Sequence, residues 1–344
     1  MSEQAREPAA QPTPSPVLVR TFKRVGRGIA APYRQSFGVA RGMLLSGTVL
    51  VAVVALAAVL APVIAPYGFD QVATADERFG NHVPPGGEHL FGTSVQGYDV
   101  FSRVVWGAQT AVTVVVLSLL FSLAAGVLLG LLAGFVGGWL DRMLVLITDA
   151  LFAFPYLLLA IVISFLLAGS LGGGITTAAL AITVVYIPQY FRIVRSATVS
   201  AREATYVEAA RALGASPRTV MFRYLLSNVV HSVPVIATLN AADAILTLAG
   251  LGFLGYGVQP NEAAEWGYDL QRAVSDAGSS IWWTGLFPGM AIVLLVMGLT
   301  LVGESLNEIL NPALRVRRLL PVNMPARGGR ADPGQDVVEQ EGAR

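Results

Sequence analysis

The chain has 344 residues, of which 54% are hydrophobic and only 13% charged, against about 25% charged in soluble domains. Its formal net charge of +1 says little about partners, and the absence of cysteine excludes disulfides, thiol chemistry and cysteine-ligated metals. No charged side chain falls in Gly42 to Phe69, Val104 to Leu140, Ala150 to Phe191 or Ala277 to Gly303. A helix needs about 20 apolar residues to cross a hydrocarbon core of about 30 Å, so these runs exclude an ordinary soluble domain and point to an all-α, polytopic membrane protein.

Residues 1–41 form the first region. Up to residue 18 it is rich in Pro, Ala, Gln and Ser without an apolar period, which predicts disorder. Its second part carries Lys23, Arg24, Arg27, Arg34 and Arg41, a basic arm suited to anionic headgroups. The apolar run that starts near Met43 is too long for the core of a signal peptide, which is about 7–15 residues, and is read as an uncut first span.

Residues 42–317 are expected to hold six spans. These are about Met43–Ile64, stopped by Pro62 and Pro66; Val105–Phe135; Leu140–Leu167, ended by Gly169 to Gly174; Ile175–Val194; Asn228–Gly250; and Trp283–Leu306. On span two, Gly126, Gly130, Gly134 and Gly138 recur every fourth residue, which predicts close helix packing. Residues 318–344 are polar and rich in Gly and Pro, and are expected to be a disordered tail.

Basic residues set the orientation. With the N-terminus inside, 20 of the 23 Lys and Arg residues fall on cytoplasmic segments and only Arg78, Arg103 and Arg272 fall outside. A multi-pass protein of the cell membrane with both termini cytoplasmic is therefore expected. Tyr67–Arg103 and Tyr256–Ile281 are then extracytoplasmic. His82, His89 and Glu88 have no spacing that suits a metal site and are read as a solvated loop. Trp282 and Trp283 are expected in an interfacial aromatic belt.

Asp149 and Asp243 fall within predicted spans, where a carboxylate costs about 2.5–3.5 kcal/mol on insertion scales. Each must face the bundle interior, a partner or water. Asp149 lies two turns from Arg142 and is read as a packing or headgroup-level group. Asp243, with Asn240 and Thr247 on neighbouring turns, is read as a polar stripe lining a path. Gly250-Leu-Gly-Phe-Leu-Gly255 has the letters of a dinucleotide motif but follows a membrane helix, so that site is rejected. The only lysine, Lys23, stands in no P-loop.

The loop from Ser200 to Asn228 faces the cytoplasm in this topology. Ser200-Ala-Arg-Glu203 has the form of a capping box opening a helix through Leu213. Tyr206, Ala209, Ala210 and Leu213 fall on one face of it. Gly214 sits where a left-handed glycine ends a helix. Ser216-Pro217 restarts the chain as N-cap and first residue of a second helix, with Val220, Met221, Tyr224 and Leu225 as its apolar face. Docking in a protein groove and lying on the membrane surface fit this pattern equally well; the small Ala209/Ala210 pair favours docking.

Glu208-Ala-Ala-Arg-Ala-Leu-Gly214, continuing to Leu226, resembles the Glu-Ala-Ala loop of permeases in binding-protein-dependent ABC importers, although Ser227 stands where that family often has proline. Glu88-His-Leu-Phe-Gly-Thr93, Gly97-Tyr-Asp-Val-Phe-Ser-Arg103, Gly137-Gly-Trp-Leu-Asp-Arg142, Asp149 to Pro155, Leu251-Gly-Phe-Leu-Gly255, Gln259-Pro260, Trp266-Gly267 and Asn311-Pro312 are similar to the dipeptide/oligopeptide C-subunit type. The resemblance covers about residues 40–317. It implies the type I importer permease fold: six transmembrane helices with a cytoplasmic helix–turn–helix coupling loop. It implies Glu208, Ala209, Ala210 and Gly214, with Tyr206 and Leu213, as ATPase-coupling residues. It implies a homologous second permease, two ATPase subunits and an extracytoplasmic binding protein as partners, alongside membrane lipids and no nucleic acid. ATP and Mg would sit on the ATPases, leaving no cofactor, catalytic residue or metal in this chain. Peptides are the implied cargo, with nickel or another small solute as the alternative. An intramembrane enzyme and an ATPase-independent channel are the rivals from other classes. Asp149 and Asp243 could be paired carboxylates, but no motif of an intramembrane protease accompanies them.

Overall fold

The computed structural model describes residues 36, 38–75, 77–230 and 233–310. The expectations for the N-terminal arm up to residue 35, for His231, for Asn311-Pro312 and for the C-terminal tail lie outside the described residues. Among the described residues there is no strand, only two isolated bridges, Ala73 with Arg78 and Thr93 with Asp99.

The helices follow in chain order. α1 is Gly38–Val59 and α2 is Ala61–Ile64. α3 is Val100–Val136, α4 is Gly138–Phe152 and α5 is Tyr156–Leu171. α6 is Gly174–Ala201, α7 is Thr205–Ala212 and α8 is Pro217–Thr219. A π-helical turn over Val220–Leu225 runs into α9, Leu226–Val229. α10 is Val233–Phe253, α11 is Trp266–Ala277 and α12 is Trp283–Leu310.

Five of these, α1, α3, α6, α10 and α12, are each long and apolar enough to cross a membrane. The expected third span, Leu140–Leu167, is not one helix. α4 and α5 meet at a bend of 100°, and reach the length of a span only as a pair. Pro155 explains the break: it lacks the N–H that would continue α4, and its ring disfavours a helical residue before it. The helix expected to start at Asn228 begins at Val233 instead, and Asn228 belongs to α9.

α3 and α6 form the densest contact. A Cβ on Gly126 would lie 2.5 Å from the Tyr190 Cβ, one on Gly130 2.7 Å from the Phe191 carbonyl oxygen, and one on Gly134 2.7 Å from the Thr198 Cβ. The expected small-residue face therefore packs within the chain. Gly138 departs from it: it is left-handed at φ +64° with open space beside it, and serves the turn into α4. α1 lies on α12 by the same device, because a Cβ on Gly47 would meet the Gly298 carbonyl oxygen at 2.8 Å. Ser305 Oγ donates to the Ala40 carbonyl oxygen at 2.7 Å across this pair. Large apolar side chains such as Val49, Val53, Leu158, Val162 and Phe165 remain exposed around the bundle. That arrangement is costly in water and neutral in lipid.

Candidate functional site: the loop helix and the polar groups of the spans

At one end of the bundle, α6 runs through Ala201 and the chain turns over Arg202 to Ala204 into α7. The expected capping box does not form. Ser200 is still inside α6, and the N-cap of α7 is Ala204, which has no side chain to cap with. Arg202 takes over the turn, donating to the Gly134 carbonyl oxygen at 2.9 Å and lying 3.7 Å from Glu203. The helix ends as expected. Gly214 has φ +80°, its N–H donates to the Arg211 carbonyl at 2.9 Å, and the Ala215 N–H donates to the Ala210 carbonyl at 3.0 Å. These two bonds are the Schellman pair that closes a helix on a left-handed residue. Ser216 Oγ accepts from the Thr219 N–H at 3.3 Å, with Pro217 in the first turn.

One residue of the expected α7 face, Ala210, turns inward. Val207 and Ala210 are the buried residues, and Val207 joins a core with Leu131 of α3, Val194 of α6, Val220 and Leu225. Tyr206, Glu208, Ala209 and Leu213 point outward; Leu213 is 88% exposed. Tyr206, Ala209 and Leu213 of the expected face are thus on the free side, and Ala210 alone of the four is buried. On the second segment Val220, Met221 and Leu225 are buried, as expected, and Tyr224 is exposed. Its π-turn inserts an extra residue per turn, an irregularity that helices carry most often at functional sites. Asn228 Nδ2 donates to Tyr206 Oη at 2.8 Å. Tyr206, Tyr224, Ser227 and Asn228 line an open concavity of about 420 Å³ beside α7.

Within the spans the expected polar stripe divides. Asn240 and Thr247 are buried, and Thr247 Oγ1 lies 3.3 Å from Tyr186 Oη of α6. Asp243 is exposed on α10. At about 100° per residue, positions seven apart nearly coincide while a position three along sits about 60° away, enough to cross from the buried to the open side. Asp149 is also exposed, on α4, where Arg192 Nη2 donates to it at 3.1 Å. One pair further on, Arg195 of α6 grips Asp141 of α4 through both carboxylate oxygens. Asp149 and Asp243 are thus in separate surroundings, and no carboxylate pair forms.

The opposite end of the bundle holds a network that the sequence did not disclose. Arg103, in the first turn of α3, is buried; its Nε donates to both Asp269 oxygens at 2.8 and 3.0 Å, and Nη1 donates to the Phe69 carbonyl at 2.9 Å. Glu265 caps α11, accepting from the N–H groups of Gly267 and Tyr268 at 2.8 and 2.7 Å. Trp266 Nε1 donates to the Val104 carbonyl at 3.0 Å, over Gly107, where there is no room for a Cβ. His89 is not solvated. It is buried and lies 2.8 Å from Asp99, whose other oxygen caps α3 at the Ser102 N–H. His82 lies 3.1 Å from Asp276, and Trp283 leaves the expected belt to donate to the Thr93 carbonyl at 3.1 Å, while Trp282 is exposed. Among the described residues no group of acidic and His side chains could hold a metal. The missed signal was the charge pair itself, one Arg at the mouth of a span and one Asp on an amphipathic helix 166 positions later.

Burial pushes the Glu265 carboxyl up to about 8, against the two backbone N–H groups, which lower it. The folded chain therefore holds this proton from the ordinary value of 4.5 up to about 8, where an unfolded chain has lost it. The stabilisation is fully present below 4.5 and is lost as pH rises through about 8. The melting temperature in detergent is expected to fall by several degrees between pH 5 and pH 9, and Glu265→Gln is expected to flatten that slope. Identical slopes in the two proteins would remove Glu265 as the cause.

Comparison with known proteins agrees with this architecture. A family model described as the binding-protein-dependent transport system inner membrane component matches residues 126–316. The chain is 35% identical over 290 residues to the dipeptide transport system permease protein DppC of Alkalihalophilus pseudofirmus, covering 83% of this chain and 91% of that protein. It is 40% identical over 277 residues to a putative peptide transport system permease protein of Brucella suis, covering 78% and 88%. It is 37% identical over 231 residues to the glutathione transport system permease protein GsiD of Pectobacterium atrosepticum, covering 67% and 75%. With five apolar helices and a bent sixth pair around an internal glycine contact, the chain belongs to the family of binding-protein-dependent inner-membrane components, as a permease of an ABC importer that works with ATPase and binding-protein partners.

Proposed function

We propose that this chain imports peptides as one of two homologous permease subunits, and that α7 is the part gripped by the ATPase subunits. The observation that carries the reading is the division of α7. Val207 fastens it to a core shared with α3 and α6 and Ala210 is also buried, while Tyr206, Glu208, Ala209 and Leu213 stay open. A surface helix of this kind can be pushed from outside without being detached, and the push reaches two spans. Gly214 sets where the helix stops. The clustering of basic residues from Arg192 to Arg223 at this end supports a cytoplasmic side for it and for both termini. ATP and Mg are assigned to the partner subunits, because no P-loop exists here; this chain carries no chemistry of its own.

The peptide cargo is supported by relatives named for dipeptide, peptide and glutathione transport. Asp243 supports a path along α10. An exposed carboxylate in mid-span does not face lipid, so this side of α10 turns toward the second permease and the water between the two. Asn240 and Thr247 back it from inside, and Asp149 with Arg192 marks the cytoplasmic margin.

Two variants test this. Leu213→Glu places a charge on the free face of α7 and is expected to strip ATPase subunits from the purified complex. Uptake of dialanine into proteoliposomes should fall at least about tenfold, the effect of some 1.4 kcal/mol, with insertion of the chain intact. Retained ATPases and normal uptake would refute the docking role, and uptake by the chain without ATPases would make it a channel. Asp243→Leu is expected to stop uptake while the complex still assembles. Unchanged uptake would remove Asp243 from the path.

A further inference from the structure

Three arginines lie on the extracytoplasmic side of the proposed topology, and their surroundings differ. Arg103 is buried and neutralised by Asp269. Arg272, one turn further along α11, is exposed and forms no ion pair among the described residues. The acids nearest to it on α11 are already engaged: Asp269 with Arg103, and Asp276 with His82 and Thr284. Yet Arg272 is not loose. Its Nε donates to Tyr268 Oη at 3.1 Å and its guanidinium lies over the Tyr268 ring at 5.4 Å. The two terminal nitrogens of the fork are thereby held in place and have no acceptor among the described residues.

Arg272 lines an open concavity of about 530 Å³ that Phe253, Gln271, Val274 and Ser275 complete. Phe253 is the last residue of α10 and stands ten positions after Asp243, with exposed Leu246 between them. At about 100° per residue Leu246 and Phe253 lie about 60° and 80° round from Asp243, on the side away from buried Asn240 and Thr247. The concavity is therefore the outer end of the α10 face whose middle is Asp243. Along this face, about 15 Å from Asp243 to Phe253 at 1.5 Å per residue, a solute meets a fixed cation first and an anion later.

We propose that Arg272 is a carboxylate-binding site at the outer mouth of the path, which receives the free C-terminal carboxylate of the cargo while Phe253 and Val274 bear on the adjoining apolar side chain. A planar, preoriented guanidinium fork matches a carboxylate through two parallel hydrogen bonds, which an amide cannot accept. The site favours peptides with a free C-terminus over their amides. This inference rests on the peptide-import reading, and the test separates the two.

The complex of this chain with its second permease and ATPases is purified and reconstituted, and the binding protein is added. Dialanine uptake is measured at a concentration below saturation for the wild type, Arg272→Gln and Arg272→Lys. In the same wild-type complex in detergent, modification of Arg272 by phenylglyoxal is followed by mass spectrometry with dialanine or dialanine amide present. The expected result is an uptake loss of about tenfold in Arg272→Gln, equivalent to some 1.4 kcal/mol, a smaller loss in Arg272→Lys, and protection by dialanine but not by its amide. Equal protection by both, protection by neither, or full uptake in Arg272→Gln overturns the site. If Arg272→Gln abolishes ATPase stimulation by cargo-free binding protein, Arg272 docks that protein instead and the proposal falls. If the wild type takes up no dialanine but the free carboxylate still protects Arg272 selectively, the site stands and the peptide reading fails.

Discussion

Gly130→Leu is expected to yield a chain that inserts but does not hold its fold. A single Cβ at this position would already sit 2.7 Å from the Phe191 carbonyl oxygen and 3.0 Å from the Arg195 backbone nitrogen. Both are backbone atoms of α6, so no side chain can rotate away. The only relief is separation of α3 from α6, and Gly126 and Gly134 tie the same two helices one turn above and one turn below. Overpacking typically costs about 1–3 kcal/mol and occasionally more; here the upper end is expected, because two rigid backbones must part. The expected readout is a loss of monodisperse protein in detergent and a markedly lower melting temperature. Gly138→Ala is the comparison. It meets nothing within 4 Å and carries only the strain of φ +64°, roughly 1–2 kcal/mol for a left-handed residue. Equal damage from both substitutions would show that the α3–α6 contact is not what the glycines serve.

The second large effect is expected at Arg103 and Asp269. The pair is nearly dry, with side chains 3% and 16% exposed. Breaking a buried pair from one side typically costs about 3–5 kcal/mol, because the surviving charge is left without compensation. Arg103→Ala strands Asp269 close to Glu265, whose carboxyl already resists ionisation. Asp269→Ala leaves the guanidinium, among the described residues, with the Phe69 carbonyl and the Tyr98 ring, 4.8 Å away. Either variant should release α11 from α3 and lower the melting temperature by more than any surface substitution. Arg103→Met combined with Asp269→Leu should recover much of the loss, since apolar replacement of a buried pair is often neutral. A double variant as unstable as the worse single one would mean that the pair's geometry, and not its charge balance, holds α11.

The apolar lengths of the chain made its spans legible, because hydrocarbon leaves a backbone few options but helix. The glycine period on α3 was legible as close packing for the same reason. Pro155 was visible too, but the apolar run around it is long enough for a span, and length alone does not reveal the bend between α4 and α5. In the loop helix, Gly214, Ser216 and Pro217 stated their roles locally, through caps that involve only neighbouring residues. Ser200 misled because its capping pattern competes with continuation of α6, and the α6 hydrogen bonds prevail. Ala210 misled because periodicity groups residues on one face without saying which edge of it is covered. The network of Arg103, Glu265, Asp269 and Trp266 joins segments more than 160 positions apart, which no local pattern can report.

The coupling role of α7 is open to a direct measurement, because the natural chain contains no cysteine. Single cysteines are placed at each position from 206 to 213, and cross-linking to co-purified ATPase subunits is measured with and without ATP. The division of the helix predicts cross-links from Tyr206→Cys, Ala209→Cys and Leu213→Cys that change in yield with ATP, and none from Val207→Cys or Ala210→Cys. Cross-links from the buried positions, or none to the ATPases from any position while uptake persists, would contradict it.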